Sequence, residues 1–195
     1  LLALACSSCA SAEPLSNSIG IQGSPLTSTR TLEQTSTQDN PEKWSDRARE
    51  VLVNALSLTG IRYHYGGNSP ETGFDCSGFV QTVFFMNGLI LMRDASLQAL
   101  HGDKVDISNG FSQLRKGDLL FFGSKENSKP HVTHVAIYKG DNEYINSSGR
   151  VMINSLDTAE TNFSKYRLNS LLAVRRIIGA GNDPGIVPVN KHLWY

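Results

Sequence analysis

The order of helical and strand-like segments is the feature of this sequence that most constrains its fold. One amphipathic helix follows Pro41 and ends before Gly60, with apolar residues at helical spacing on one face: Trp44, Ala48, Val51, Leu52, Ala55 and Leu56. A second helix begins near Cys76 and stops at Gly88. The predicted strands then cover 118–122, 133–138, 143–146, 150–154 and 171–178. This order predicts an α+β fold in which N-terminal helices pack on an antiparallel sheet of about five or six strands.

The charge balance excludes some classes of partner. Lys plus Arg and Asp plus Glu both total 18, so the formal net charge is zero. No overall field therefore favours nucleic acid or an anionic membrane surface. The sequence has no apolar run of roughly 18 residues, the length that a membrane-spanning helix needs. We expect a monomer that uses no cofactor and recognises its partner by shape and hydrogen bonds.

The two ends of the chain differ in character from the middle. Residues 1–12 resemble the remnant of an export or lipoprotein signal, and two routes are open: lipid attachment at Cys6 or Cys9, or cleavage after residues 10–12. Residues 13–40 are rich in polar and small residues, which predicts a flexible tether. The ordered domain is expected at 41–179 and a C-terminal tail at 180–195. The expected location is periplasmic or in the cell envelope, with any membrane link through an N-terminal lipid.

Cys76 is the candidate nucleophile because it is the one thiol outside the leader. A helix start lowers the pKa of a thiol through the partial positive charge of unpaired N–H groups, and the same groups can stabilise an oxyanion. The alternative is a small buried hydrophobe. Asp75, Ser77 and Gly78 beside it, and the glycine pair at 66–67, favour a reactive site.

His134 and Asn146 complete the candidate site. If segments 133–138 and 143–146 form a hairpin, these two residues face each other on adjacent strands, and the Asn146 amide can hold the imidazole of His134 as it acts on Cys76. The alternatives are a sheet-edge histidine and a strand-end asparagine. His131 fits a loop position at the rim of the cleft, and no spacing indicates a metal site. Asp118 is expected to be a structural cap.

Five motifs in order carry a resemblance to the NlpC family of cell-wall peptidases: YHYGG at 63–67, GFDCSGFV at 73–80, RDASLQ at 93–98, KGDLLFF at 116–122 and HVAIY at 134–138. The resemblance covers roughly residues 45–178. It implies a papain-like core in which Cys76 is the nucleophile, His134 the general base and Asn146 the orienting residue. It also implies hydrolysis of the amide between γ-D-glutamate and meso-diaminopimelate or lysine in peptidoglycan stem peptides.

The same resemblance extends to substrate-binding positions. Tyr63 matches a tyrosine near the oxyanion, and Asp75, Ser77 and Ser96 match positions that in one branch bind the L-Ala-γ-D-Glu end of the substrate. That branch builds part of its amine site from additional N-terminal domains, and the predicted polar tether at 13–40 cannot form one. We therefore expect action on stems in the wall or on released muropeptides. Two other functions stay open: a papain-like acyltransferase or amidase, and a non-catalytic wall-binding module.

Overall fold

The computed structural model describes residues 41–180 and 187–188. The predicted signal remnant, the tether and most of the tail lie outside these residues. Four helices are present in the described part of the chain: α1 (Pro41–Ser57), α2 (Cys76–Met86), α3 (Ala95–Gln98) and α4 (Lys165–Asn169). The two predicted helices are therefore confirmed, whereas α3 and α4 are too short for a periodic pattern to reveal them.

Ten strands accompany the helices over the same described residues: β1 (Asn68–Ser69), β2 (Gly73–Phe74), β3 (Leu89–Ile90), β4 (Asp103–Lys104), β5 (Leu119–Glu126), β6 (Lys129–Gly140), β7 (Glu143–Ser148), β8 (Arg150–Ser155), β9 (Leu171–Arg176) and β10 (Val187–Pro188). Six of them form an antiparallel sheet in the order β4-β9-β5-β6-β7-β8. Two small sheets pair β1 with β2 and β3 with β10. The predicted α+β architecture with a six-stranded sheet is confirmed.

The main sheet is covered on both faces. On one face, α1 and α2 pack against it through buried side chains that include Val51, Phe79 and Val135. On the other face a second cluster surrounds Phe122 and Tyr144. Because both faces are buried, the central strands are continuously apolar rather than alternating. This packing fixes the start of α2 against β6.

Two sequence-based expectations need correction. Leu56 does not belong to the buried face of α1, because 38% of its surface is exposed and Leu58 is buried instead. The strand containing His134 begins at Lys129, five residues before the histidine, and it pairs with β5 across a turn at Asn127 and Ser128. Both turn residues have positive φ (49° and 64°), as the tight hairpin turns that match strand twist require.

Asp118 has the structural role predicted for it. Its carboxylate is 1% exposed, accepts the backbone N–H of Arg115 at 2.8 Å, and forms an ion pair with Arg176 at 2.8 Å. These contacts tie the turn before β5 to β9.

Candidate active site

Cys76 is the first residue of α2, and Asp75 caps that helix. The Oδ1 atom of Asp75 accepts the backbone N–H of Gly78 at 2.7 Å, which satisfies one of the free donors at the helix start. Its Oδ2 atom accepts the N–H of Gly66 at 2.9 Å. The same carboxylate therefore fixes both the helix start and the glycine turn, and Cys76 is held between them.

Arg93 binds this carboxylate from the other side. Nη1 lies 3.0 Å from Oδ1 of Asp75 and Nη2 lies 2.6 Å from Oδ2, while Nη1 also donates to Oγ of Ser77 at 3.0 Å. Burial alone raises the pKa of Asp75, but the hydrogen bonds from Arg93, Gly78 and Gly66 outweigh it and hold that pKa below its ordinary value. Asp75 is therefore an ion-paired carboxylate near neutral pH.

Cys76 is buried, with 9% of its surface exposed. Burial is the largest influence and raises the pKa of Cys76; the charge of Asp75 raises it further. The N–H groups of Val135, Ser77 and Cys76 itself lower it, but by less in total. The sequence-based expectation of a lowered pKa is therefore wrong for the substrate-free site, because it counted the helix start and not the burial.

His134 and Asn146 are brought together by the hairpin of β6 and β7. Ile137 pairs with Ile145, so His134 and Asn146 are diagonal neighbours on one face of the sheet rather than directly opposite residues. The Nε2 atom of His134 lies 2.9 Å from Oδ1 of Asn146, and both side chains are buried. The predicted pairing of these two residues is present in the structure.

The imidazole of His134 lies in a setting that keeps it neutral. Burial is the main cause, followed by the positive charge of Arg167, and together they lower the pKa of His134 to about 4; the hydrogen bond with Asn146 acts in the opposite direction. The guanidinium carbon of Arg167 lies 5.7 Å from the ring centre of Phe122, whose ring centre is 5.9 Å from that of His134. Burial thus favours the neutral form of both the Cys76 thiol and the His134 imidazole.

The thiol and the strand of the histidine meet in one buried cluster, which contains both Cys76 and Val135. The N–H of Val135, the residue directly after His134, lowers the pKa of Cys76. The Nε2 atom of His134 is occupied by Asn146. Nδ1 is therefore the ring nitrogen left to exchange a proton.

The predicted substrate-binding residues differ in exposure: Asp75 and Ser77 are buried, whereas Tyr63 and Ser96 are exposed. Tyr63 is 38% exposed, and burial, then the charges of Cys76 and Asp75, raise its pKa. Ser77 is buried and donates to Asp75 at 3.3 Å, so its hydroxyl is already engaged. Ser96 is exposed on α3 and, within the described ranges, forms no hydrogen bond with the other site residues.

Four residues that support the site were not among the predicted site residues: Arg93, Gln98, Asn154 and Arg167. Arg93 and Gln98 belong to the RDASLQ motif, which was the available signal for them. Gln98 is 2% exposed, and its Nε2 donates to the carbonyls of Ser77 (3.2 Å) and Met92 (2.8 Å). Asn154 and Arg167 carry no local signal, because the sheet and α4 bring them to the site from positions far along the chain.

In the part of the chain that the structure describes, no three His, Cys, Asp or Glu side chains group as metal ligands. No helix there combines the length and apolar character that a membrane crossing requires.

A cysteine that begins a helix, packed on an antiparallel sheet beside a hydrogen-bonded histidine and asparagine, is the arrangement of the papain-like α+β class. Residues 60–171 match the model of the NlpC/P60 family, and the chain belongs to this family. The resemblance noted in the sequence is thereby confirmed.

Curated relatives and solved structures agree with the family assignment. The bifunctional muramidase/DL-endopeptidase CwlT of Bacillus subtilis (strain 168) is 44% identical over 98 residues, 50% of this chain and 28% of that protein. A gamma-DL-glutamyl hydrolase of the same strain is 34% identical over 148 residues, 74% of this chain and 33% of that protein. A gamma-D-glutamyl-L-lysine dipeptidyl-peptidase, also of that strain, is 36% identical over 131 residues, 66% and 40% respectively.

Among solved structures, an NlpC/P60 family protein from Bacillus cereus ATCC 10987 is similar, with a TM-score of 0.58 and 30% identity over 67% of this chain and 40% of that one. A Staphylococcus aureus Mu50 protein of the NLP/P60 family, described as similar to lipoprotein, has a TM-score of 0.57 and 32% identity over 68% and 42%. The chain spans 28–40% of the length of the three curated relatives.

Proposed function

We propose that this chain is a cysteine endopeptidase that hydrolyses the γ-D-glutamyl–diamino acid amide of peptidoglycan stem peptides. The observation that carries the proposal is that Cys76 begins α2 and lies in the same buried cluster as Val135, one residue from an imidazole that Asn146 orients at 2.9 Å. Two of the relatives named above, the gamma-DL-glutamyl hydrolase and the gamma-D-glutamyl-L-lysine dipeptidyl-peptidase, support the choice of substrate.

The catalytic cycle begins from the neutral pair. Nδ1 of His134 takes the proton of the Cys76 thiol as the sulfur attacks the γ-glutamyl carbonyl carbon. Because both groups are buried, neither is charged before the substrate arrives, and the ion pair forms during attack. An imidazole of low pKa is a strong acid once protonated, so it readily delivers the proton to the leaving amine.

The oxyanion is stabilised at the start of α2. The N–H groups of Cys76 and Ser77 lie in the first turn, where no preceding helical carbonyl accepts them. The hydroxyl of Tyr63, whose raised pKa keeps it protonated, is suited to donate to the same oxygen. Water then resolves the thioester, and His134 returns to its neutral form.

The proposed substrate assignments differ in how much freedom the side chains have. Asp75 and Ser77 are held by Arg93, so they shape the pocket as a fixed ion-paired unit and present little unused hydrogen-bonding capacity. Ser96 and Tyr63 are more exposed and free to contact the stem peptide directly. Export to the cell envelope, with or without a lipid at Cys6 or Cys9, fits a wall substrate and belongs to the same proposal.

The test is digestion of defined muropeptides by the purified full chain, with products weighed by mass spectrometry. Stems with lysine or meso-diaminopimelate, each with and without the N-acetylmuramoyl group, should show cleavage after γ-D-glutamate. The Cys76→Ala and His134→Gln variants should lose turnover, whereas His131→Gln, at an exposed position on the same strand, should keep it. Products containing an added amine would indicate an acyltransferase, and intact stems with an unreactive thiol would indicate a binding module; either result contradicts the proposal.

A further inference from the structure

The side-chain amide of Asn146 is hydrogen-bonded through both its oxygen and its nitrogen. While its Oδ1 faces His134, its Nδ2 donates to the carbonyl of Met152 at 3.2 Å and to Oδ1 of Asn154 at 2.9 Å. Both N–H bonds of the amide are therefore used. Turning the amide over would place its oxygen against the carbonyl oxygen of Met152.

The direction of Asn154 is fixed in the same way. Its Nδ2 donates to the backbone carbonyl of Asn162 at 3.1 Å, and that carbonyl also accepts the N–H of Ser155 at 3.2 Å. A carbonyl oxygen only accepts hydrogen bonds, so Asn154 must point its nitrogen at Asn162 and its oxygen at Asn146. The register of β7 and β8 pairs Tyr144 with Asn154, which makes Asn154 a diagonal neighbour of Asn146 on the same sheet face.

We propose that Asn154 is a positioning residue, which holds the amide oxygen of Asn146 toward His134 and so keeps His134 in the tautomer protonated at Nε2. Two backbone carbonyls, of Met152 and Asn162, set the direction of the whole chain of hydrogen bonds. With oxygen presented to it, Nε2 of His134 must be a donor, and the lone pair is at Nδ1. This assignment of Nδ1 as the base rests on the proposed function, whereas the tautomer itself does not.

Removal of the Asn154 amide has a defined consequence. The Oδ1 acceptor of Asn146 Nδ2 is lost, and only the Met152 carbonyl then opposes the reversed amide. A reversed amide presents N–H groups to Nε2 and favours the tautomer protonated at Nδ1, which cannot take the thiol proton. Since Asn154 acts through Asn146, its loss should lower kcat and leave KM unchanged.

The experiment measures the tautomer directly. Full-length chain labelled with ¹⁵N-histidine is studied by long-range proton–nitrogen NMR without substrate, and the His134 signals are assigned with the His134→Gln variant. The wild type should show a protonated Nε2 and an unprotonated Nδ1. Asn154→Leu, which has the same branching of side-chain heavy atoms but no polar ones, should show a mixture and a kcat reduced roughly five- to tenfold, about the value of one hydrogen bond.

Two matched variants separate positioning from packing. Asn154→Asp keeps an acceptor for Asn146 and should keep the Nε2–H tautomer, at a cost in stability because its second oxygen faces the carbonyl of Asn162. Asn169→Leu, the Asn-to-Leu change at an exposed position, should alter neither readout. A wild type protonated at Nδ1, or an Asn154→Leu variant with unchanged tautomer and kcat, overturns the proposal. If Asn154→Leu does not fold, Asn154→Ala carries the same expectation. Failure to cleave any stem peptide contradicts the proposed function and leaves the tautomer result standing.

Discussion

The guanidinium of Arg93 pairs with both carboxylate oxygens of Asp75, at 3.0 Å for Nη1–Oδ1 and 2.6 Å for Nη2–Oδ2. Asp75 also caps α2 and accepts the N–H of Gly66. A single ion pair therefore connects the glycine turn, the helix start that carries Cys76, and the segment that leads into α3.

Replacement of Arg93 by Gln should destabilise the fold and the site together. The Asp75 side chain is only 11% exposed, so its charge is left without a countercharge in a buried position. We expect a loss of about 3 kcal/mol in the free energy of unfolding, measured by urea denaturation. The matched control is Arg49→Gln, which breaks an exposed ion pair with Asp46 and should cost less than about 0.5 kcal/mol. Equal small losses for both variants would show that Arg93 is not structural.

The pKa of His134 makes stability depend on pH in a defined window. Burial lowers this pKa from 6.5 to about 4, so between these values the unfolded chain binds a proton there that the folded chain does not. The free energy of unfolding therefore rises with pH across this window. The contribution of the buried neutral imidazole is complete above about pH 6.5 and is lost as the pH falls toward 4. Its full span is roughly 3 kcal/mol.

The measurement compares wild type with His134→Gln by denaturant unfolding from pH 7.5 to 4.5. The variant lacks this titration, so the difference between the two free energies should shrink steadily as the pH falls. His131→Gln, on the exposed part of the same strand, should follow the wild type. A constant difference between wild type and His134→Gln over the whole range would refute the assignment.

The positive charge of Arg167 should lower the pKa of His134. After burial, its positive charge is the next cause that keeps the imidazole neutral, and in the described ranges it forms no ion pair with a carboxylate that would offset this charge. Arg167→Gln should therefore raise the pKa of His134, measured by NMR titration of the ring protons. The acid limb of activity should move to higher pH with it. Lys165→Gln removes a charge from an exposed position of the same helix and should leave both unchanged; the opposite order of effects would reject the role of Arg167.

Much of the fold follows from local signals in the sequence. Helical spacing identifies α1 and α2, and β-branched and aromatic residues between turn residues identify the five long strands. The extension of β6 back to Lys129 is missed for two reasons. Most residues before His134 are exposed, so they show no apolar alternation, and they include Pro130, which is unfavourable in a strand. The short elements β1 to β4 and α3 are defined by tertiary pairing rather than by local preference, and spacing cannot indicate them.

The site residues likewise divide into those that local sequence signals indicate and those that only the folded structure reveals. Cys76, His134 and Asn146 can be chosen from the sequence as candidate nucleophile, base and orienting residue because each has a recognisable local setting. The pKa of Cys76 cannot, since it depends on burial that only the packed structure defines. Asn154 lies 8 residues after Asn146, which it contacts, and Arg167 lies 33 residues after His134, whose pKa it lowers. Only the sheet register and the placement of α4 reveal these two residues.

The contact between the glycine turn and α2 gives a further prediction. A Cβ atom at Gly78 would lie 2.2 Å from the carbonyl oxygen of Gly67 and 3.0 Å from Oδ1 of Asp75. Gly78→Ala, which normally favours a helix by about 1 kcal/mol, should therefore destabilise the protein and displace the start of α2 from the turn. Activity should fall with stability because Cys76 moves as well.

Gly60→Ala is the control for this contact. Gly60 has a φ of 90°, but a Cβ atom added there would meet no atom within 4 Å, so the change tests backbone strain without a clash and should cost about 1–2 kcal/mol. The N–H of Gly60 donates to the carbonyl of Val151 on β8 and to none of the residues that hold Cys76, so kcat should persist in the folded fraction. Thermal unfolding and muropeptide turnover of the two variants should rank Gly78→Ala as the more damaging by both measures. A Gly78→Ala protein as stable and active as wild type would mean that the turn and α2 can separate without cost, and that the close approach at Gly67 does not hold Cys76 in place.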